Sequence, residues 1–268
     1  MFNIEQILCS PKKIFRLIVH SLRNCSMKLL VKFVSLLTFL GLSITTYAAP
    51  LFYGQGYGFV VSDPAAFVSA MDKYRASEAG QQSPAMPVLV QNMVNGDYTS
   101  THQVSVFYPS TDAIDQSFAI NARSKDWAAF QKSIRRIATP EWENMFAILM
   151  AKVKKDPSKM TNPVSIVYSM TVKDPAEYVA AFGKLLESDE IKAFPGNIYL
   201  GQSIASGNVK GSHFVTFVAE STGALVSSVM AVQTSAAMAD YLSAVGDIRT
   251  LEATNMFREV KRWAPDTN

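Results

Sequence analysis

Val61-Ser-Asp-Pro-Ala-Ala-Phe-Val68 returns 111 residues later as Val172-Lys-Asp-Pro-Ala-Glu-Tyr-Val179. The same offset, with no gap, pairs Lys73 with Lys184, Ser77 with Ser188 and Gln91 with Gln202. It also pairs Gly96, His102 and Val104 with Gly207, His213 and Val215. Near the end of each unit, Thr139-Pro-Glu-Trp-Glu-Asn-Met-Phe146 matches Thr250-Leu-Glu-Ala-Thr-Asn-Met-Phe257. Residues 49–156 and 157–268 are therefore expected to be two copies of one duplicated unit, and reading either copy gives the fold class.

Each unit starts with a run of β-formers, Tyr57 to Val61 and Ser165 to Val172. Asp63-Pro64 and Asp174-Pro175 follow, each an N-cap with proline at the first helical position. Glu177, three residues after Asp174, suggests a capping box. Phe67, Ala70, Met71 and Tyr74 mark one helix face, as Tyr178, Ala181, Phe182 and Leu185 do in the second copy. Two strands come next, Pro87–Val94 and His102–Tyr108, turning at Asn95-Gly96; their equivalents are Asn197–Ala205 and His213–Ala219. A long helical stretch, unbroken or in two pieces, then spans about 113–137 and 224–245, and a last strand spans 144–153 and 255–263. The order is β-α-β-β-α-β, twice, which places the chain in the α+β class with ferredoxin-like units.

This element order and unit length resemble the dimeric α+β barrel superfamily, in which two plaits pair into an eight-stranded barrel. The resemblance covers essentially the whole chain after residue 48 and implies that a tandem copy forms the barrel within one chain. Physical reasoning agrees. A four-stranded sheet with helices on one face leaves the other face apolar, and a second copy tethered by Lys154–Pro163 is the natural cover. Two independent plaits are the alternative. The superfamily includes haem-degrading monooxygenases that use Asn, Trp and His, but these residues do not match that pattern by position here. No cofactor is expected.

The first 48 residues read as a leader. Lys28 and Lys32 precede an apolar run from Phe33 to Ile44, and Thr46-Tyr-Ala48 supplies small residues for cleavage, so 27–48 has the form of a secretory signal peptide. Met27 is the expected start, with a long basic extension from Met1 as the alternative, and a retained membrane anchor over 29–47 as a third. Cleavage after Ala48 removes six of the 25 basic and one of the 22 acidic residues, leaving 19 and 21 and a formal charge near −2. The basic sequence pI of about 8.7 thus belongs to the leader, which argues against a nucleic-acid partner. Cys9 and Cys25 also lie there, leaving no thiol for a disulfide or thiolate metal site. A periplasmic or secreted protein, monomer or homodimer, without stable membrane insertion, is expected.

The candidate chemistry is sparse. His102 and His213 are the matched histidines and the candidates for a catalytic base; no metal site is expected, because no ligand cluster accompanies them. Tyr57 and Tyr168 with Gln91 and Gln202 are candidates to point into the barrel and orient a small ligand, or to hydrogen-bond each other across the interface between the halves. Asn144 and Asn255 are candidates for the same role, or for capping the turn before the last strand. Trp127, with Trp142, Arg135 and Arg136, distinguishes the first half and marks it as the candidate site. Gly54-Gln-Gly-Tyr-Gly58 has the wrong spacing for a phosphate loop and reads as a flexible lead-in. The leading function is binding of a small apolar or aromatic molecule; a cofactor-independent monooxygenase or isomerase with a histidine base, and a purely structural or stress-related role, are the alternatives.

Overall fold

A computed structural model describes residues 49–265; the expected leader, with its signal core and both cysteines, lies outside the described residues. The first half runs β1 (Phe52–Val61), α1 (Pro64–Arg75), α2 (Glu78–Gln82), β2 (Met86–Val94), β3 (His102–Tyr108), α3 (Thr111–Arg123), α4 (Lys125–Ile134) and β4 (Ala138–Lys152). The second runs β5 (Val164–Val172), α5 (Pro175–Leu186), α6 (Asp189–Ala193), β6 (Asn197–Ala205), β7 (His213–Ala219), α7 (Thr222–Gln233), α8 (Ala236–Val245) and β8 (Arg249–Arg262). The eight strands close into an antiparallel barrel in the order β1-β3-β2-β8-β5-β7-β6-β4. Among the described residues no helix is long and apolar enough to cross a membrane.

The helices start where their caps dictate. Asp63 accepts from the Ala66 amide at 2.9 Å and Asp174 from the Glu177 amide at 3.0 Å. Glu177 forms no bond back to the Asp174 backbone, so the capping box is half made. The long helical stretch of each half is two helices. Ser124 and its equivalent Ser235 are N-caps that restart the chain, accepting from the Trp127 and Met238 amides.

Barrel curvature comes from bulges at repeat-equivalent places. Glu141 and Glu252, Met93 and Ile204, and Leu149 and Val260 are each skipped by the pairing register. Between bulges, side chains alternate. One set faces the barrel interior; the other packs beneath the helices, where Leu89 and Val104 meet Phe67, Tyr74 and Phe130, and Leu200, Val215 and Phe217 meet Tyr178, Phe182 and Val245.

Gly54-Gln-Gly-Tyr-Gly58 belongs to β1 and is no flexible lead-in. Its glycines face inward, and their missing side chains let β4 lie flat across the strand. A Cβ on Gly54 would sit 2.3 Å from the Phe146 ring, and one on Gly58 2.1 Å from Trp142 Nε1. Gly58→Ala is therefore expected to lower stability by about 1–3 kcal/mol through overpacking, measured by urea unfolding. Gly223→Ala, where a Cβ meets nothing within 4 Å, is the matched control and holds or gains stability.

Candidate functional site

The barrel encloses a cavity of about 630 Å³, a size that suits a small molecule. Its middle is apolar, with Phe107, Phe146, Phe214 and Phe257 among the lining residues. Phe146 meets Phe107 and Phe214 edge-on, with centroids 6.0 and 5.3 Å apart. Polar groups gather toward two ends. One end carries Tyr98, Asn144, Asn255, Ser169 and Lys210; the other carries Asn197, Tyr199, Glu259 and Arg262. Asn197 also fastens the linker between the halves, its Oδ1 accepting from the Lys154 and Lys155 amides at 2.9 Å.

The two walls of this cavity differ although their backbones correspond. On the first-half wall, Gly56 donates its amide to Asn144 Oδ1 at 3.1 Å, and Trp142 and Phe146 cover the glycines. On the second-half wall, Ser165, Val167 and Ser169 stand where Gly54, Gly56 and Gly58 stand in the first, and Ala253 stands in place of Trp142. Val167 lies opposite Asn255, and the space that Asn144 uses above Gly56, 2.5 Å from a Cβ position there, is filled by a valine side chain. Asn255 is 8% exposed, and its Oδ1 has no hydrogen-bond partner among the described residues. A buried amide left unpaired costs on the order of 1–3 kcal/mol. Neither asparagine caps a turn as the sequence suggested; both sit within the last strand of their half because the strands begin six residues earlier.

A bulge builds the other polar cluster. Three residues apart on a regular strand, Glu259 and Arg262 would face opposite ways. The extra residue Val260 turns both inward, and they pair at 2.6 Å and 3.2 Å. Repeat-equivalent Leu149 makes the same bulge between Ile148 and Ala151, so the fold does not require the ion pair.

Several expected site residues face away from the cavity. Tyr57 and Tyr168 point toward the helical layer: Tyr57 donates to Gln55 at 2.9 Å, and the Tyr168 hydroxyl accepts from Gln233 at 2.7 Å. Burial, then Glu143, pushes the Tyr57 hydroxyl up to about 12. The period-two register that turns the β1 glycines inward turns Tyr57 outward. Gln91 is exposed, and Gln202 lies opposite His213 and Ala147; neither lines the cavity. Trp127 packs on Tyr74 and Phe130 beneath the helices, centroids 5.1 and 5.2 Å away.

The histidines are matched in structure as in sequence. The Nδ1 of His102 shares a hydrogen bond with Thr101 Oγ1 at 2.9 Å, and that of His213 with Ser212 Oγ at 3.0 Å. Those hydroxyls in turn accept from the Val61 and Val172 amides, tying β3 and β7 to the ends of β1 and β5. His102 does not line the cavity. His213 borders it, but its ring lies 5.7 Å from Tyr178 in the helical layer. Among the described residues no group of His, Cys, Asp and Glu is placed to hold a metal ion.

Phe146, Phe214, Tyr199, Glu259 and Arg262 line the cavity and were missed by sequence reasoning. The one available signal was the alternation of glycine in β1, whose period of two marks an inward face.

No protein-family model matches the chain, and no curated protein matches it significantly. Solved structures do share the fold. A candidate monooxygenase from Fusobacterium nucleatum is 14% identical with a TM-score of 0.53, covering 81% of this chain and 96% of that one. A candidate monooxygenase from Lactobacillus acidophilus is 11% identical with a TM-score of 0.50, over 79% and 93% of the two chains. An anthrone oxidase-like protein gives 11% and 0.50, over 81% and 95%. The chain thus has the fold of the dimeric α+β barrel proteins, with all eight strands supplied by one polypeptide.

Burial holds both histidines below their ordinary range, so the unfolded chain takes up protons first. Stability is full above about pH 6.5 and falls as pH drops through that value toward the folded-state values. Thermal melts at decreasing pH check this, and replacing both histidines by Gln is expected to flatten the slope.

Proposed function

We propose that the barrel binds one small, flat, largely apolar molecule against the wall formed by β5 and β8. The difference between the two walls carries this reading. Where the first half folds Trp142 and Phe146 over glycine, the second sets Ser165, Val167 and Ser169 opposite Phe257, Asn255 and Ala253. A flat ligand that stacks among the phenylalanines meets Ser165 and Ser169 on that wall. The likeness to candidate monooxygenases is one of fold. For a histidine base the geometry offers one candidate, His213, which borders the cavity while its ring lies 5.7 Å from that of Tyr178; His102 does not border it.

We further infer that the halves descend from one duplicated unit, on the support of the identities at constant offset and the three matched pairs of bulges. Export is proposed on the pattern of residues 27–48 alone; the mass of the protein recovered from its host is expected to begin at Ala49.

The binding site is tested with the neutral dye N-phenyl-1-naphthylamine, whose fluorescence rises in apolar surroundings. Wild-type protein is expected to bind it. The double variant Ser169→Gly/Ala253→Trp installs the first half's own Gly58 and Trp142 pair in the second. It is expected to keep its melting temperature and to weaken dye binding roughly tenfold, about 1.4 kcal/mol. Unchanged binding in the folded variant places the site elsewhere.

A further inference from the structure

We propose that the molecule held in the barrel carries an anionic group, a carboxylate or its chemical equivalent, and that Arg262 receives it. The inference rests on the cavity being a binding site and adds the chemistry of its occupant. Glu259 uses two of the five guanidinium donors, Nε–H to Oε1 and Nη2–H to Oε2. Among the described residues no other partner takes the remaining three, although the Arg262 side chain is only 19% exposed. Val88 stands opposite Arg262 on the neighbouring strand, and Ile148 and Val218 are further apolar members of the cavity lining. Desolvation sets the cost of placing an ion pair there, and a pair of hydrophobic residues is often as stable or more so. The first half shows this directly, since it builds the same bulge with Ile148 and Ala151.

The pair is thus dispensable for the fold and specific to one end of the cavity. Glu259 clamps the guanidinium by a two-pronged contact and so fixes the direction of its free edge before a ligand arrives. In apolar surroundings a charge-assisted bond from that edge is stronger than in water. Tyr199 lines the same end and adds a hydroxyl. The occupant that satisfies both regions of the site has an aromatic body among Phe146, Phe214 and Phe257 and an anionic end at Arg262.

Two dyes with a common naphthylamine body test this: neutral N-phenyl-1-naphthylamine and its sulfonated relative 8-anilinonaphthalene-1-sulfonate. Wild-type protein is expected to bind the sulfonate more tightly. Glu259→Ile/Arg262→Ala, which copies the first half's residues at the same bulge, is expected to fold. It should weaken sulfonate binding about tenfold or more, the scale of a charged hydrogen bond, while neutral-dye binding stays within about twofold. The single variant Arg262→Gln should lose the same preference. Equal sulfonate affinity in wild type and variants, or a wild-type preference for the neutral dye, overturns the assignment of Arg262 while leaving the cavity as a binding site. Failure of wild-type protein to bind either dye overturns both proposals.

Discussion

Each half of the chain forms a four-stranded sheet with two open edges, β4 and β2 in the first, β8 and β6 in the second. Unpaired edges expose backbone donors and acceptors, and closure into a barrel is the arrangement that removes them. Here β4 pairs with β6 and β8 with β2, so each half's last strand crosses onto the other half. The exchange continues beyond the hydrogen bonds. Trp263, just past β8, is buried in the first half's core and donates to Asp72 at 2.7 Å. Its repeat equivalent Lys152 reaches back to the Leu186 carbonyl at 2.6 Å. Neither half buries its inner face without the other.

Closure also decides what the interior contains. A barrel of eight strands has an interior that side chains just fill or that holds one small ligand, so small differences in side-chain volume separate a packed core from a cavity. Glycine in β1 lets Phe146 and Trp142 lie flat and fill one side. Serine and valine stand at those places in β5, opposite Phe257, Asn255 and Ala253 of β8. The backbone is nearly symmetric while the lining is not, and the cavity belongs to that asymmetry. A charged pair has entered the lining only where Val260 bulges and Ile148 is exchanged for Glu259.

The sequence contained more of the fold than of the site. Repeated Asp-Pro helix starts, repeated turn glycines and alternating strands give β-α-β-β-α-β twice, and the structure adds the short helices α2 and α6 and the breaks at Ser124 and Ser235. The sequence left a break open without placing it, because serine is an ordinary helix residue until its hydroxyl caps an amide. Tyr57 and Tyr168 were misplaced because a strand's period tells which residues share a face, and only pairing to neighbours tells which face turns inward. Trp127 drew attention as an asymmetric residue, yet its asymmetry lies in the helical layer, 5.1 Å from Tyr74.

By itself the sequence determined the order of elements, the recurrence at a constant offset and the small set of polar residues available to a site, because caps, turns and periodicity are local properties of the chain. The tertiary structure alone decided that Glu259 and Arg262 meet, and that Asn144 Oδ1 finds a donor while Asn255 Oδ1 finds none among the described residues. These depend on bulges and on the volume of residues opposite one another across paired strands. Such contacts join positions far apart in the chain, where no local pattern records them.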